Sequence, residues 1–309
     1  FQAAYCPYEY GSLRGCEGRV WSFFNKYNKD MAKYLPFIEG DVSKGPMPLY
    51  IKPDRLLSVQ DVQNMMRDHF EGTDLDMTKD PGAGPFKVPY RWRPLNYKVD
   101  GQEYLHERAI ATQQTGFVIV PQMRNWLPDA VGGILWFGVD DADMAVFTPV
   151  YCSVTDAPEC YREGNGDMTH FSWTSAFWIH NWVANMAYSK YSFMIKDIRK
   201  VQQELENNYK EAVPGIDKAA MDLFAKDPTE ATRFLTWFSS NTANQSVARW
   251  KELGEYLMVK YMDGNVKKEE NGHFKDNGYG QSAYPDFPGY DDEYYRNIVK
   301  ATGDRLKSK

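Results

Sequence analysis

Three stretches of the chain carry side chains able to do chemistry. The first, Arg67-Asp68-His69-Phe70-Glu71-Gly72-Thr73-Asp74-Leu75-Asp76, places the carboxylates of Glu71, Asp74 and Asp76 and the hydroxyl of Thr73 on a loop leaving a helix. A loop positioned by a rigid helix is well placed to meet a ligand. The second runs from Gly84-Pro85-Phe86 to Pro89-Tyr90-Arg91-Trp92. The third is Glu107-Arg108-Ala109-Ile110, followed by Gln122-Met123-Arg124-Asn125-Trp126. A small ligand with a free ammonium and a free carboxylate needs such groups. A carboxylate meets the ammonium, and the planar fork of an arginine meets both carboxylate oxygens. Glu71, Asp76, Arg91, Arg108 and Arg124 either serve such a ligand or close structural ion pairs. The histidines, at 69, 106, 170, 180 and 273, are scattered; His69 and His106 each border a polar motif. No complete catalytic set is visible: there is no GxSxG elbow, P-loop, HExxH or Rossmann fingerprint.

The elements that must position these groups divide the chain in two, 1–166 and 167–309. The first part is punctuated by Gly and Pro; the second is mainly helical. Leu57 to Phe70 reads as a helix: Ser58 caps it, Asp61 completes a capping box, and Val59, Val62, Met65, Met66 and Phe70 share a face. Glu71 to Pro94 reads as loop. Arg108 to Val120, Gly133 to Val139 and Val146 to Val154 read as buried strands, with a turn at Trp126-Leu127-Pro128-Asp129. From Asp167 to Val213 there is no Gly or Pro, and Phe177, Trp178, Trp182, Met186, Ile195 and Ile198 recur at helical intervals. One long helix or two broken ones are expected there, ending before Pro214-Gly215. Thr229 to Leu253 reads as another helix, Asn265 to Tyr290 as loop, and Asp291 to Lys307 as a closing helix.

Of the 309 residues, 43% are hydrophobic and 25% charged, which describes an ordinary globular protein able to bury a sizeable core. The net charge of -6 argues against a nucleic-acid partner, which needs a concentrated basic face. No apolar run approaches the roughly 20 residues that a membrane span requires. Phe1-Gln2-Ala3-Ala4 has neither the basic nor the apolar region of a signal peptide and reads as a cut point. Cys6, Cys16, Cys152 and Cys160 form no CxxC pair and lack histidines at zinc spacing, so neither a metal nor a cofactor is expected. Cys6 with Cys16, and Cys152 with Cys160, could each close a short disulfide loop or remain buried thiols. Disulfides would imply an oxidising compartment, periplasmic or extracellular. Aromatic side chains, 15% of the chain, fill a thick core or form a stacking platform for a sugar or peptide.

The order of these motifs resembles peptidase family C69. The resemblance rests on Arg67 through Thr78, Gly84-Pro85-Phe86, Arg91, Glu107-Arg108-Ala109-Ile110, Gln122-Met123-Arg124 and Gly132-Gly133-Ile134-Leu135-Trp136-Phe137-Gly138. It extends from about Arg19-Val20-Trp21 to Pro158 and more loosely into the helical region. It implies an α+β chain: part of an αββα sandwich of N-terminal-nucleophile hydrolases, followed by a helical C-terminal region packed on it. It also implies dipeptide hydrolysis by a cysteine whose own α-amino group is the general base. Related hydrolases place an arginine near the nucleophile. Arg108, then Arg124, are the candidates here, while Glu71, Thr73, Asp76 and Arg91 are candidates for substrate binding.

One departure matters. Residue 1 is Phe, and the segment that should join the nucleophile to Arg19-Val20-Trp21 is missing. Neither Cys6 nor Cys16 has the expected context. The chain is therefore expected to be the C-terminal portion of such an enzyme, inactive alone and completed by an N-terminal half. Two alternatives stand beside this reading: a non-catalytic module binding a peptide or glycan, and an acylase acting on another linear amide.

Overall fold

The computed structural model describes residues 2–5, 11 and 13–308. It is a mixed helix-and-sheet structure whose helices of eight residues or more and strands are labelled here in chain order. Helix α1 (Gly18–Asn25) carries Trp21 into a small core with Leu13, Phe37, Ile38, Phe70 and Leu75, where the indole N–H donates to the Met31 carbonyl at 2.9 Å.

Helix α2 (Val59–Met66) begins with the expected capping box between Ser58 and Asp61. It stops four residues before the expected end at Phe70. Successive helical side chains point about 100° apart, so a helix cannot turn three neighbours inward. Leaving the helix allows Arg67, Asp68 and His69 all to be buried on separate partners. The exit is closed by left-handed backbone at Phe70 (φ 64°), whose ring is buried in the small core, and at Gly72 (φ 79°).

A hairpin that the sequence reading assigned to no element follows: β1 (Asn96–Val99) and β2 (Gln102–Leu105) pair antiparallel around Asp100-Gly101, both at positive φ. Asp-Gly is favoured in such two-residue turns.

The main sheet is antiparallel, in the order β3 (Phe117–Met123), β4 (Gly133–Val139), β5 (Thr148–Tyr151). β4 has the expected bounds. β3 begins at Phe117 rather than Arg108, because the chain before it is folded into a turn in which the Thr115 N–H and hydroxyl both bond the Thr112 carbonyl. Nor is β3 buried on both sides. Val118 and Val120 face inward, while Phe117, Ile119, Pro121 and Met123 are exposed.

The inner face packs on α3 (Ala176–Ala187), α4 (Tyr191–Phe224) and α5 (Pro228–Tyr261). One hydrophobic core joins Val118, Ile134 and Trp136 of the sheet to Ile179, Ile198 and Trp250 of the helices. The helical part starts at Ala176, not Asp167, and breaks at Tyr188–Lys190. Contrary to expectation, α4 runs through Pro214. An internal proline costs a helix roughly 3 kcal/mol. Here the turns on both sides are held from outside: Val213 and Ala220 are buried, and Asp217 takes both Arg124 and the Tyr151 hydroxyl. Helix α5 likewise continues past Leu253. Gly254 is what permits it, since a Cβ there would lie 2.3 Å from the Trp182 ring of α3.

Residues 265–290 are irregular apart from the two-residue strands β6 (Glu269–Glu270) and β7 (His273–Phe274). The closing helix α6 spans Asp292–Thr302 and buries no residue. Among the described residues no helix is long and apolar enough to cross a membrane.

Cys152 and Cys160 are free thiols, which corrects the disulfide expectation for this pair. Cys152 is exposed just beyond β5, whereas Cys160 is turned into the core, where burial pushes its thiol up to about 12. Cys16 is also a free, exposed thiol; Cys6 lies outside the described residues.

Candidate functional site

The exit of α2, the turn after β4 and the start of α4 meet in a buried ionisable network. His69 lies at its centre and is fully buried. Its Nδ1 lies 2.9 Å from Glu71 Oε1, and its Nε2 lies 3.0 Å from the Tyr90 hydroxyl. Glu71 also accepts the His69 backbone N–H at 2.8 Å. Burial opposes an imidazolium, but the Glu71 bond and the nearby Asp143 and Asp141 carboxylates outweigh it, so the His69 pKa is raised. Burial also works against the Glu71 carboxylate, yet the same bond to His69 holds its pKa at about 2.

The acidic turn Asp140-Asp141-Ala142-Asp143 joins the sheet to the helices. Asn181 of α3 donates to Asp140 at 2.9 Å, Tyr188 donates to Asp141 at 3.0 Å, and Tyr191 of α4 donates to Asp143 at 2.8 Å. Arg199 completes the set on Asp143. Burial pushes Asp140 to about 7, although the Asn181 bond works against it. Burial and the Asp143 charge raise Asp141 to about 6, against a hydrogen bond from Tyr90. Asp140 Oδ2 is buried with no hydrogen-bond partner. One step away, Arg67 pairs with Glu206, which also accepts the Phe147 N–H at 3.0 Å.

The Tyr90 ring connects this network to the surface. It lines a narrow crevice with Arg91, Arg93, Arg108 and Gln113, and also a cavity of about 630 Å³ with Phe86, Trp92, Asn181 and Asn185. Trp92 is 91% exposed at this mouth. Arg108 is exposed beside Arg19 and Arg93, and desolvation plus their like charges lower its pKa. Neither Arg93 nor Arg108 forms an ion pair among the described residues. The arrangement is therefore a set of guanidinium donors next to an amide- and aromatic-lined cavity, able to hold a carboxylate-bearing ligand.

The remaining residues singled out from the sequence bond the chain itself. The Thr73 hydroxyl donates to the Phe70 carbonyl at 2.7 Å and accepts the Leu75 N–H at 3.2 Å. Asp76 accepts the Gly72 N–H, the Thr78 N–H and the Thr78 hydroxyl. Arg91 is buried on the carbonyls of Met77, Val88 and Tyr90 and on Asp80. Arg124 holds the Val131 and Gly132 carbonyls and Asp217. Glu71 faces a separate polar cavity, and of the two candidate arginines only Arg124 has an ion-pair partner among the described residues. His180 is buried, bonds the Ala176 carbonyl, and is pushed down to about 4 by burial. His106 packs on Tyr97 at 4.8 Å.

Sequence reasoning did not single out Asp140, Asp141, Asp143, Tyr188, Tyr191, Arg199 or Glu206. The run Asp-Asp-Ala-Asp directly after an apolar strand was a usable signal, since carboxylates so placed need buried partners. Among the described residues, no group of three or more His, Cys, Asp and Glu could hold a metal ion.

Residues 1–204 match the model of peptidase family C69. A probable dipeptidase of Latilactobacillus sakei is 29% identical over 206 residues, which is 66% of this chain and 38% of that protein. Probable dipeptidase B of Lactococcus lactis subsp. lactis (strain IL1403) is 24% identical, over 60% of this chain and 38% of its own length. Dipeptidase A of Lactobacillus helveticus is 21% identical, over 62% and 33% respectively. The matched part thus spans less than two-fifths of each of these relatives.

Proposed function

We propose a function from one premise: the chain belongs to peptidase family C69. It acts as the C-terminal portion of a dipeptidase, and the αββα sandwich of an N-terminal-nucleophile hydrolase is completed by a segment outside residues 1–309. The observation that carries this reading is the outer face of the main sheet. Phe117, Ile119, Pro121 and Met123 of β3 are exposed in a row, and among the described residues β3 pairs only with β4, leaving its other edge open. An apolar face beside an open edge favours cover by further β structure. The short coverage of the relatives supports the same reading.

In this proposal the completing segment brings an N-terminal cysteine. Its thiolate attacks the dipeptide carbonyl carbon, with the α-amino group taking the thiol proton. Hydrogen-bond donors hold the oxyanion, the amine departs with a proton, and water cleaves the thioester to free the acid and the thiol. Arg108 is the supporting guanidinium for a substrate carboxylate or oxyanion. Glu71, committed to His69, shapes the substrate loop together with Thr73, Asp76 and Arg91. Arg124 braces the end of the sheet. A periplasmic or extracellular compartment remains part of the proposal, but no disulfide supports it, since Cys16, Cys152 and Cys160 are all free thiols. Alkylation with and without reduction, read by mass, tests it.

Two other readings compete. The cavity under Trp92 favours a non-catalytic peptide- or glycan-binding module, and the unpaired arginines would equally serve an acylase. Co-expressing the chain with the segment preceding it in its gene separates the three. Dipeptide hydrolysis by the complex, absent from the chain alone, is the expected result. Faster cleavage of acyl amides would favour the acylase, and binding without cleavage would replace the enzyme reading by the module.

A further inference from the structure

A second polar cavity, of about 470 Å³, lies where α1, α2 and α4 meet. Every side chain lining it is polar: four cations (Lys26, Arg67, Arg199 and Lys210), five amides and one carboxylate, Glu71. Three separate stretches deliver them. Lys26 follows α1, Arg67 follows α2, and Arg199, Gln203, Asn207 and Lys210 form one stripe of α4 at helical spacing.

Glu71 is already committed to the imidazole and backbone N–H of His69, so it does not answer the cations. Asp68, Glu206 and Asp143 brace Lys26, Arg67 and Arg199, fixing their positions, while donors remain unspent. The Nε–H of Arg67 is buried without an acceptor, although the residue itself is only 8% exposed. Lys210 and the amides of Gln203 and Asn207 have no hydrogen-bond partner among the described residues. A cavity whose wall combines the Arg67 guanidinium with further unspent donors favours an acceptor with several oxygens.

We propose that this cavity binds a small oxyanion, a phosphate or a carboxylate, between Arg67, Arg199, Lys26 and Lys210. The inference is independent of the dipeptidase reading, because Arg108 and the Trp92 cavity belong to other walls of the molecule. The anion sits against the fixed guanidinium of Arg67, with Lys210 and Asn207 closing over it from α4.

The test is calorimetric titration of the 309-residue chain with sodium phosphate and, separately, with succinate, at pH 7 and an ionic strength fixed by chloride. Saturable binding of either is expected, and whichever binds identifies the source of the oxygens. Replacing Lys210→Met together with Asn207→Leu, both exposed positions on α4, should weaken binding about tenfold without unfolding the chain. Arg67→Lys keeps the charge but removes the fork, and should weaken it by at least as much. Heats no different from those of chloride, or undiminished affinity in both variants, would overturn the proposal.

Discussion

Replacing Asp140→Asn should change stability in opposite directions at low and high pH. Asp140 is 1% exposed, its Oδ1 accepts from Asn181 at 2.9 Å, and its Oδ2 faces no donor. Its pKa rises from 3.8 to about 7 on folding, chiefly through burial. A raised carboxyl pKa means that the folded state binds more proton, so stability falls as pH rises from about 4 to about 7. At about 1.4 kcal/mol per pH unit, the loss between pH 5 and pH 8 is about 3 kcal/mol. Asparagine never ionises, keeps the bond from Asn181, and tolerates the left-handed backbone at this position (φ 64°) at least as well. Its amide N–H groups would stand unpaired where Oδ2 was, at a cost of about 1–3 kcal/mol. The variant should therefore match or trail the unchanged protein at pH 5 and exceed it by about 2 kcal/mol at pH 8. Urea unfolding followed by circular dichroism at pH 5, 6, 7 and 8 measures this. A difference that stays constant across the series would mean that Asp140 ionises freely in the folded chain, and the burial argument would fail.

The two arginines raised by the sequence should separate cleanly. Arg124→Ala strands Asp217 and should cost about 3–5 kcal/mol, read as a lowered urea midpoint. Arg108→Ala, with no partner to strand, should leave stability within about 0.5 kcal/mol while weakening carboxylate-bearing ligands about tenfold by calorimetry. Gly254→Ala gains about 1 kcal/mol of helix propensity but drives a Cβ into the Trp182 ring, for a net loss of about 1–2 kcal/mol by thermal unfolding. His69→Gln should remove the pH dependence of the buried pair. The His69 share of stability is present below its ordinary pKa of 6.5 and fades as pH rises through the raised folded value, while the Glu71 share is present above 4.5 and fades toward about 2. A variant with the same pH profile as the unchanged protein would contradict the His69–Glu71 pairing.

Much of this protein was set locally. The Ser58–Asp61 box started α2 where the residues place it, β4 fell on its apolar run, and the motif order carried the family. The Asp100-Gly101 turn was equally legible and was passed over. Capping, alternation and turn chemistry act within a few residues, so the sequence alone carries them. The site belongs to the other category. Arg91 and Arg124 looked like ligand groups, but folding brought them the Met77 and Gly132 carbonyls and the Asp217 carboxylate, while Asp76 and Thr73 are spent on groups within four residues of themselves. Arg108 kept its guanidinium free because its neighbours in space are Arg19 and Arg93. Pro214 continues inside α4, because packing and the Asp217 bonds outweigh a local rule. Which polar group is spent on the chain and which is left for a ligand depends on partners far along the chain, 139 residues apart for Arg67 and Glu206, and only the tertiary structure decides it.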